Sequence, residues 1–226
     1  MKRLVMSLVA SAAMFAAVPA QAVILNPGSS GQTFTAFSTI AATQGTQIAF
    51  TSVSGLALTF ATTMNSAVYR NTLGGLDFYY QVFQTGVGST GANQMIDAFT
   101  AADFSGWTVD AYVSATDIDG AGPFVNVLNP PSSTTTTGRS STGVTLQTDF
   151  GTNGLSTGEN SAIYIFRTAA TQYVPGTFGV IDGSTFSGIA FAPGVPEPTT
   201  WGLMLAGFGI VGGALRRRKQ NVAYSF

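Results

Sequence analysis

Within residues 23–195, the carboxylates are the side chains that remain as candidates for acid–base or nucleophilic catalysis. The region contains no His, Cys or Lys. It therefore excludes catalytic triads, Cys–His pairs, Ser–Lys dyads and zinc sites built from His or Cys. A pair of carboxylates, as used in glycoside hydrolysis, would have to come from Glu159 and eight aspartates. Their positions single out no pair, and we expect most of them to be turn formers and solvated acids.

The best metal candidate is the run Asp117-Ile118-Asp119-Gly120. Alternate aspartates before a glycine can present hard oxygen ligands to calcium around a tight turn. The further ligands and the closing bidentate glutamate of an EF-hand loop are missing. A β-turn held by Asx hydrogen bonds is therefore the favoured interpretation of Asp117 and Asp119, and no metal or cofactor is expected.

Three aromatic residues could form a platform on which a sugar ring stacks. They are Trp107 and the adjacent pair Tyr79-Tyr80. Aromatic residues on strands more often pack in the core, and we favour that interpretation for all three.

Charges are concentrated at the two ends of the chain. Six of the nine cations are Lys2, Arg3 and the cluster 216–219, whereas three arginines stand against nine acids between residues 70 and 182. This acidic middle argues against binding of nucleic acid, which needs clustered Lys and Arg. The chain is 45% hydrophobic and 8% charged, with 27 glycines and no Cys. Such a composition indicates an exported, turn-rich β protein.

The first 22 residues have the pattern of a signal peptide. Lys2 and Arg3 precede an apolar run that ends at Pro19, and Ala20-Gln21-Ala22 is an A-x-A cleavage site. A permanent anchor or a buried core helix is less favoured, because the cleavage site follows the apolar run directly. We predict a signal-peptide helix, residues 1–22, that directs export through the inner membrane and is cleaved after Ala22.

Residues 23–193 are predicted to form one all-β domain outside the cytoplasm. Short runs rich in β-branched and aromatic residues alternate with turn residues, a spacing that suits a sandwich or barrel. We expect a single β-sandwich of jelly-roll or Ig-like type. Residues 95–104 are either a strand with a bend or a short helical turn. The predicted strands are 33–37, 47–53, 56–63, 67–73, 76–83, 107–115, 144–150, 162–168, 177–181 and 186–192.

Two of these runs alternate clearly between apolar and other residues. The alternate residues of 76–83 that begin with Leu76, and those of 107–115 that begin with Trp107, are predicted to face the core. Asp182-Gly183 is predicted to be a hairpin turn. Residues 129–142 contain no large apolar side chain and are predicted to be an exposed, mobile loop.

The C-terminal stretch VPEPTTWGLMLAGFGIVGGALRRRKQ, residues 195–220, combines three unlike features. Pro196-Glu197-Pro198 keeps the backbone extended, and a helix is predicted over about 199–215. Its apolar run is roughly 22 Å long against a hydrocarbon core of about 30 Å, so it is marginally sufficient as a short transmembrane helix. A basic stop then follows, formed by Arg216, Arg217, Arg218 and Lys219.

The order and spacing of residues 194–220 resemble the PEP-CTERM sorting domain. Pro196, Glu197 and Pro198, with Trp201 three residues further on, match it, as do the glycine-rich apolar run and the basic cluster. Trp201 and the phrase GFGIVGGALRRR look like the PEPxxWA subtype of sphingomonad-type proteobacteria, although Gly202 stands where that subtype commonly has Ala.

This resemblance implies that the chain is the substrate of a processing enzyme and not an enzyme itself. It implies recognition by exosortase, a membrane-embedded cysteine protease or transpeptidase, near Pro196-Glu197-Pro198. It also implies a Gram-negative host, transient anchoring in the inner membrane, and release or transfer to the cell surface or extracellular matrix. A simple C-terminal membrane anchor is the alternative for this segment.

Three functions of the β domain follow as hypotheses. A structural or adhesive role linked to exopolysaccharide or biofilm leads, with an exopolysaccharide as a partner. A carbohydrate- or calcium-binding module is the second hypothesis, and a carboxylate-dependent hydrolase is the third.

Overall fold

β-Strands are the predominant regular structure in the part of the chain that the structure describes. This computed structural model describes residues 22–118, 120, 122–128, 135–152, 154–194 and 200–217. Runs of β-branched and aromatic residues form the strands, because such side chains pack well on a pleated surface. The strands are β1 (Val23–Ile24), β2 (Thr35–Ala36), β3 (Thr46–Leu56), β4 (Phe60–Arg70), β5 (Leu76–Val87), β6 (Ala98–Ala101), β7 (Asp110–Ser114), β8 (Thr136–Arg139), β9 (Leu146–Asp149), β10 (Ile163–Thr168), β11 (Gln172–Asp182) and β12 (Ser184–Gly194). Two short 3-10 turns, Phe37–Thr39 and Ala41–Thr43, follow β2, and the helix α1 (Thr200–Arg217) follows β12.

The strands form two sheets. The first has the order β1-β7-β10-β5-β4-β3, with β2 also paired to β7, and the second has the order β12-β11-β6-β9-β8. The β2–β7 pair is parallel and the other described pairs are antiparallel. The all-β prediction is confirmed. The choice between a jelly-roll and an Ig-like sandwich stays a prediction.

One hydrophobic core lies between the inner faces of the two sheets. The alternate residues of β5 from Leu76 to Val82 are all fully buried in it, as predicted. Across the core, the ring of Phe99 on β6 lies 6.0 Å from the ring of Tyr80 and 5.4 Å from that of Tyr164. Burial of each large apolar side chain contributes about 1.5–3 kcal/mol, so these contacts hold the two sheets together.

The prediction for 107–115 is confirmed in the same way. Val109 and Ala111 are fully buried in this core, and Trp107 and Val113 pack against it while partly exposed.

The outer face of the first sheet is buried as well, which the alternation of β5 did not predict. Tyr79 points away from the inner core and is fully buried, with its ring 4.4 Å from that of Tyr69 and 5.9 Å from that of Phe124. Ile40, between the two 3-10 turns, belongs to the same cluster. Residues 37–43 and the segment around Phe124 therefore cover this face, and Tyr79 is buried although it points away from the inner core.

The free edge of β12 is closed by side chains from the first sheet. The Ser66 hydroxyl accepts a hydrogen bond of 3.4 Å from the Phe191 N–H, and the Tyr80 hydroxyl donates to the Phe191 carbonyl oxygen. Nearer the start of β12, Phe186 packs on Gly55 so closely that a Cβ at residue 55 would lie 2.0 Å from the ring. Covering an edge in this way protects it from pairing with another chain.

Several predicted boundaries differ from the structure. The runs 56–63 and 67–73 both overlap one continuous strand, β4, which residues 57–59 precede as a turn and residues 71–73 follow. Residues 95–104 contain the strand β6. Asp182-Gly183 joins β11 to β12, as predicted, and the φ of +54° at Gly183 is one that favours glycine.

The mobile-loop prediction for 129–142 is wrong at its centre. Residues 136–139 form β8, which pairs with β9. Thr137 and Arg139 are buried although neither is a large apolar residue. Residues 129–134 lie outside the described residues.

The predicted C-terminal helix is confirmed as α1, which has 18 residues. Within the described part of the chain, no helix combines the length and the apolar character needed to cross a bilayer. Five of the residues of α1 are glycines and its last turn carries Arg216 and Arg217, which lowers its mean hydropathy. The transmembrane part of the prediction for 199–215 is therefore not supported.

Candidate functional site

The C-terminal segment begins directly at the end of the β domain. Gly194, the last residue of β12, still pairs with Gln172 on β11. Two residues later the sequence reaches Pro196-Glu197-Pro198, which lies outside the described residues. The motif predicted to be recognised is therefore separated from a paired strand by one residue.

The helix α1 places most of the other predicted sorting residues on one element. Trp201 is its second residue, and Arg216 and Arg217 are its last two. Arg216 is exposed, as a residue of a basic stop must be. Arg218 and Lys219 lie outside the described residues.

Large apolar side chains project from α1 into solvent. Their exposed fractions range from 53% to 74%, and their positions span well over half of the helix circumference. They are Leu203, Met204, Leu205, Phe208, Ile210 and Val211. A Cβ built on Gly207, Gly209, Gly212 or Gly213 would meet no atom within 4 Å. A helix that is apolar on most of its surface requires an apolar environment that the β domain does not provide.

These residues match a known family model. The model describes the PEP-CTERM protein-sorting motif, and it matches residues 194–219. The chain carries a PEP-CTERM sorting motif. No curated protein and no solved structure was found to match the chain.

The motif marks the protein as a substrate of an exosortase system. It implies export, recognition by a membrane protease of the exosortase type, and processing at the C-terminus. It names a sorting signal and no catalytic activity. The PEPxxWA-like subtype suggested by Trp201 stays a hypothesis.

The predicted signal-peptide site lies at the margin of the described chain. Ala20 is outside it, and Ala22 is its first residue, partly buried against the outer cluster of the first sheet. Val23 starts β1 and pairs with Ala111 on β7. Cleavage after Ala22 stays a prediction. It would make Val23, the first residue of β1, the N-terminus of the mature chain.

Arg167 lies between two aspartates in the register of three strands of the first sheet. It donates from Nε to Asp77 Oδ1 at 2.8 Å and from Nη2 to Asp77 Oδ2 at 2.7 Å, and its cross-strand neighbour on β7 is Asp110. Asn71 donates a further hydrogen bond of 2.8 Å to the fully buried Asp77. Burial raises the pKa of Asp110. The positive charge of Arg167 lowers this pKa, and the negative charge of Asp77 raises it further.

This row of charges does not form the carboxylate pair of a hydrolase. The guanidinium stands between the two acids in the register of the sheet, whereas a hydrolytic pair needs open space for a glycosidic bond between its carboxyl groups. A cavity of about 460 Å³ does adjoin it, lined in part by Asn71, Asp110 and Arg167. The geometry thus favours a structural role for Asp77 and leaves Asp110 at the wall of a cavity.

The calcium candidate is only partly described. The Asp117 N–H donates a hydrogen bond of 2.8 Å to Asn126 Oδ1, which fits the turn interpretation, and Asp119 lies outside the described residues. Among the residues that the structure describes, no three His, Cys, Asp or Glu side chains lie close enough to hold a metal ion together.

The sugar-stacking platform does not form. Tyr79 and Tyr80 are fully buried, on opposite faces of β5, so no sugar ring reaches them. Trp107 is partly exposed and lines a cavity of about 240 Å³ together with Thr142 and Arg139.

The burial of Arg139 was not predicted from the sequence. Its guanidinium donates to the carbonyl oxygens of Gly143, Leu25 and Phe104, at 2.9, 3.0 and 2.6 Å. Burial lowers its pKa. It joins β8 to the N-terminal segment and to the residues after β6. No local pattern predicts such contacts, because two of the acceptors are 114 and 35 residues away along the chain.

Proposed function

We propose that the protein is an exported β domain that an exosortase system delivers to the cell surface or the extracellular matrix. The observation that carries this proposal is the match of residues 194–219 to the PEP-CTERM sorting motif. The chain enters through the signal peptide 1–22, and its C-terminal segment is processed near Pro196-Glu197-Pro198. The delivered product is then the two-sheet domain with a structural or adhesive role, linked to exopolysaccharide or biofilm.

The helix α1 would hold the chain at the inner membrane until processing. Its exposed apolar side chains support this step, because lipid or the protease can cover them and the β domain does not. The basic residues 216–219 would remain on the cytoplasmic side. A short helix rich in glycine suits a temporary anchor better than a permanent one, since hydrophobic stretches shorter than the bilayer are held less favourably.

Replacement of the motif by alanine tests the sorting step. Pro196→Ala, Glu197→Ala and Pro198→Ala combined should leave the C-terminal segment attached, so the product should be heavier by the mass of that segment and remain in the membrane fraction. Pro130→Ala with Pro131→Ala is a matched control that removes prolines elsewhere and should be processed normally. A triple variant of normal mass and location would contradict the proposal.

Carbohydrate binding is the second candidate function, favoured by one polar groove. A cavity of about 320 Å³ lies between the N-terminal segment and strands β8 and β9. Its lining includes hydroxyl, amide and carboxylate groups, which can hydrogen-bond to sugar hydroxyls; the side chains that carry them include Ser29, Ser30, Thr136, Gln147 and Asp149. Gln147→Ala should then weaken binding to the polysaccharide of the host, whereas Gln47→Ala on β3 should not.

A further inference from the structure

Strand β3 is the last strand of the first sheet, and one side of its backbone is open. It pairs only with β4 among the described strands. The Ala57 N–H donates to the Phe60 carbonyl at 2.9 Å, so this pair at the start of the ladder is hydrogen-bonded. Hydrogen-bonded and non-hydrogen-bonded pairs alternate along an antiparallel ladder, so every second residue before Ala57 directs its N–H and C=O away from β4. These residues are Phe50, Ser52, Ser54 and Leu56. No described residue exchanges a backbone hydrogen bond with them on that side.

The other sheet edges of the described chain carry features that hinder pairing with another chain. Strands β1 and β2 have two residues each. Gln32 covers β8 by exchanging hydrogen bonds of 2.9 and 2.8 Å with Thr137. On β12 the backbone of Phe191 is bonded to side chains of the first sheet, and Pro193, on the same side of the strand, has no N–H to donate. Strand β3 has 11 residues, no proline and no charged side chain, so it lacks the usual protection of an edge.

The open part of β3 has a nearly palindromic sequence, Phe-Thr-Ser-Val-Ser-Gly-Leu over residues 50–56. An antiparallel partner runs in the opposite direction, so a second copy centred on Val53 places similar residues opposite each other. Phe50 then meets Leu56 of the second copy, and Ser52 meets Ser54. All of these residues direct their backbone groups outwards, as hydrogen bonding across the contact requires. Because β3 carries no charge, no like charges meet in this register.

The side chains of this stretch divide between a solvent-facing side and a side that is already packed. Phe50 and Leu56 are 42% and 62% exposed, and alternation places Ser52 and Ser54 on the same face. Val53 and Gly55 lie on the other face, against β12. A second β3 would therefore cover exposed apolar side chains, and each such cross-strand pair contributes about 0.2–1 kcal/mol relative to a pair of alanines.

We propose that the protein forms a two-fold symmetric dimer through the edges of two β3 strands, with Val53 at the symmetry axis. The first sheets of the two copies then form one continuous sheet. In such an isologous contact each copy uses the same edge, so association stops at the dimer. A contact between two strand edges is small, so the dimer is expected to dissociate on dilution. The inference concerns the β domain and does not rest on the sorting proposal.

Disulfide crosslinking of the full chain in detergent tests the register, because the chain has no native Cys. Ser52 and Ser54 are exposed, so Ser52→Cys and Ser54→Cys place thiols at the surface. Position 52 lies opposite position 54 of the second copy, with Cα atoms about 5.5 Å apart, a distance that a disulfide spans. Identical positions are diagonal neighbours at about 7–8 Å, which is too far. An equimolar mixture of the two variants, one of them tagged, should give the mixed disulfide roughly tenfold faster than either variant crosslinks alone.

Hydrogen exchange at the outward-facing amides of β3 tests the dimer of the unmodified chain. These amides should exchange slowly in concentrated protein and rapidly after dilution. Ser52→Lys combined with Ser54→Lys sets like charges opposite each other, so exchange should be rapid at both concentrations. Thr185→Lys combined with Ser187→Lys adds the same charge at exposed positions of β12 and should leave the protection unchanged.

Two results would overturn the proposal. The first is equal crosslinking of the mixture and of the single variants, which would indicate contact through another part of the chain, such as α1. The second is exchange that does not depend on concentration: rapid exchange would mean a monomer, and slow exchange would mean that a segment of the same chain covers β3. If the lysine variant fails to fold, the cysteine pair and the dilution of the unmodified chain decide.

Discussion

Arg139 joins three separate segments through hydrogen bonds from one guanidinium group. Its partners are the carbonyl oxygens of Leu25, Phe104 and Gly143, and the side chain is buried. A buried charge is tolerated when its donors are satisfied, and here three backbone carbonyls accept from the guanidinium group. The residue thus fixes the N-terminal segment against the second sheet.

Arg139→Met should destabilise the domain by about 3 kcal/mol. The variant keeps the apolar stem but leaves the three buried carbonyls without their donor, and each such loss costs about 1–3 kcal/mol before relaxation. Urea unfolding followed by tryptophan fluorescence measures the change. Arg70→Met, at an exposed arginine with a single long hydrogen bond, should change the free energy of unfolding by less than about 0.5 kcal/mol. Equal effects of the two variants would contradict this role of Arg139.

Tyr80→Phe tests the link between the two sheets near the C-terminal segment. The substitution keeps the buried ring and removes the donor to the Phe191 carbonyl, so it should cost about 1 kcal/mol. Tyr173→Phe, on β11, which pairs with β12, is the control: Tyr173 is 38% exposed and its substitution should be nearly neutral. Chemical denaturation of both variants gives the comparison, and a neutral Tyr80→Phe would show that the hydroxyl does not secure β12.

Among the elements, the helix α1 differs from the strands because its large apolar side chains are not packed in the core. Its apolar side chains are exposed, whereas β12, which precedes it, is held by Tyr80 and Ser66. The boundary between domain and signal therefore falls between Gly194 and Thr200.

A chain that ends at Gly194 should be as stable as one that retains the C-terminal segment, within about 0.5 kcal/mol. The segment can be removed without exposing the core, which is what release by a protease requires. A chain that ends at Asp182 loses β12 and its buried Ala190 and Ala192, and it should not fold cooperatively. Thermal unfolding of the two truncated chains measures this, and a large loss on ending at Gly194 would mean that α1 supports the domain.

Most strands could be predicted from the sequence, but the burial of the outer face of the first sheet could not. Strict alternation from Leu76 to Val82 gave the inner face of β5 correctly, because side chains of a strand alternate with period two. Burial of Tyr79 depends on residues 37–43 and Phe124, which reach the sheet from distant parts of the chain. The strand β8 was missed because its sequence, Thr-Thr-Gly-Arg, has no apolar pattern and is ordered by pairing with β9.

At the scale of the whole molecule, the C-terminal segment could be interpreted from the sequence and the β domain's ligand could not. The sorting motif is local and continuous, so its residue types and spacing are sufficient to recognise it. The polar groove, for example, joins residues 29–31 to β8 and β9. Such sites exist only after folding, and no pair among nine acids stands out before it.

We infer from this separation that the folded domain is the delivered product and that the segment from residue 195 onwards is a sorting signal that is removed. An N-terminus at Val23 and a C-terminus near residues 195–198 should bound the mature protein. The body between these ends carries the nine acids and only three arginines, so the mature protein should be strongly acidic.

Intact-mass spectrometry of the protein recovered from its host, with and without a functional exosortase, measures whether both ends are processed. With exosortase, we expect a soluble or surface-attached product that lacks residues 200–226 and begins near Val23. Without exosortase, we expect a membrane-bound chain that retains the C-terminal segment. A product of identical mass in both hosts, or one that keeps α1 in the presence of exosortase, would show that the C-terminal segment is not a processed sorting signal.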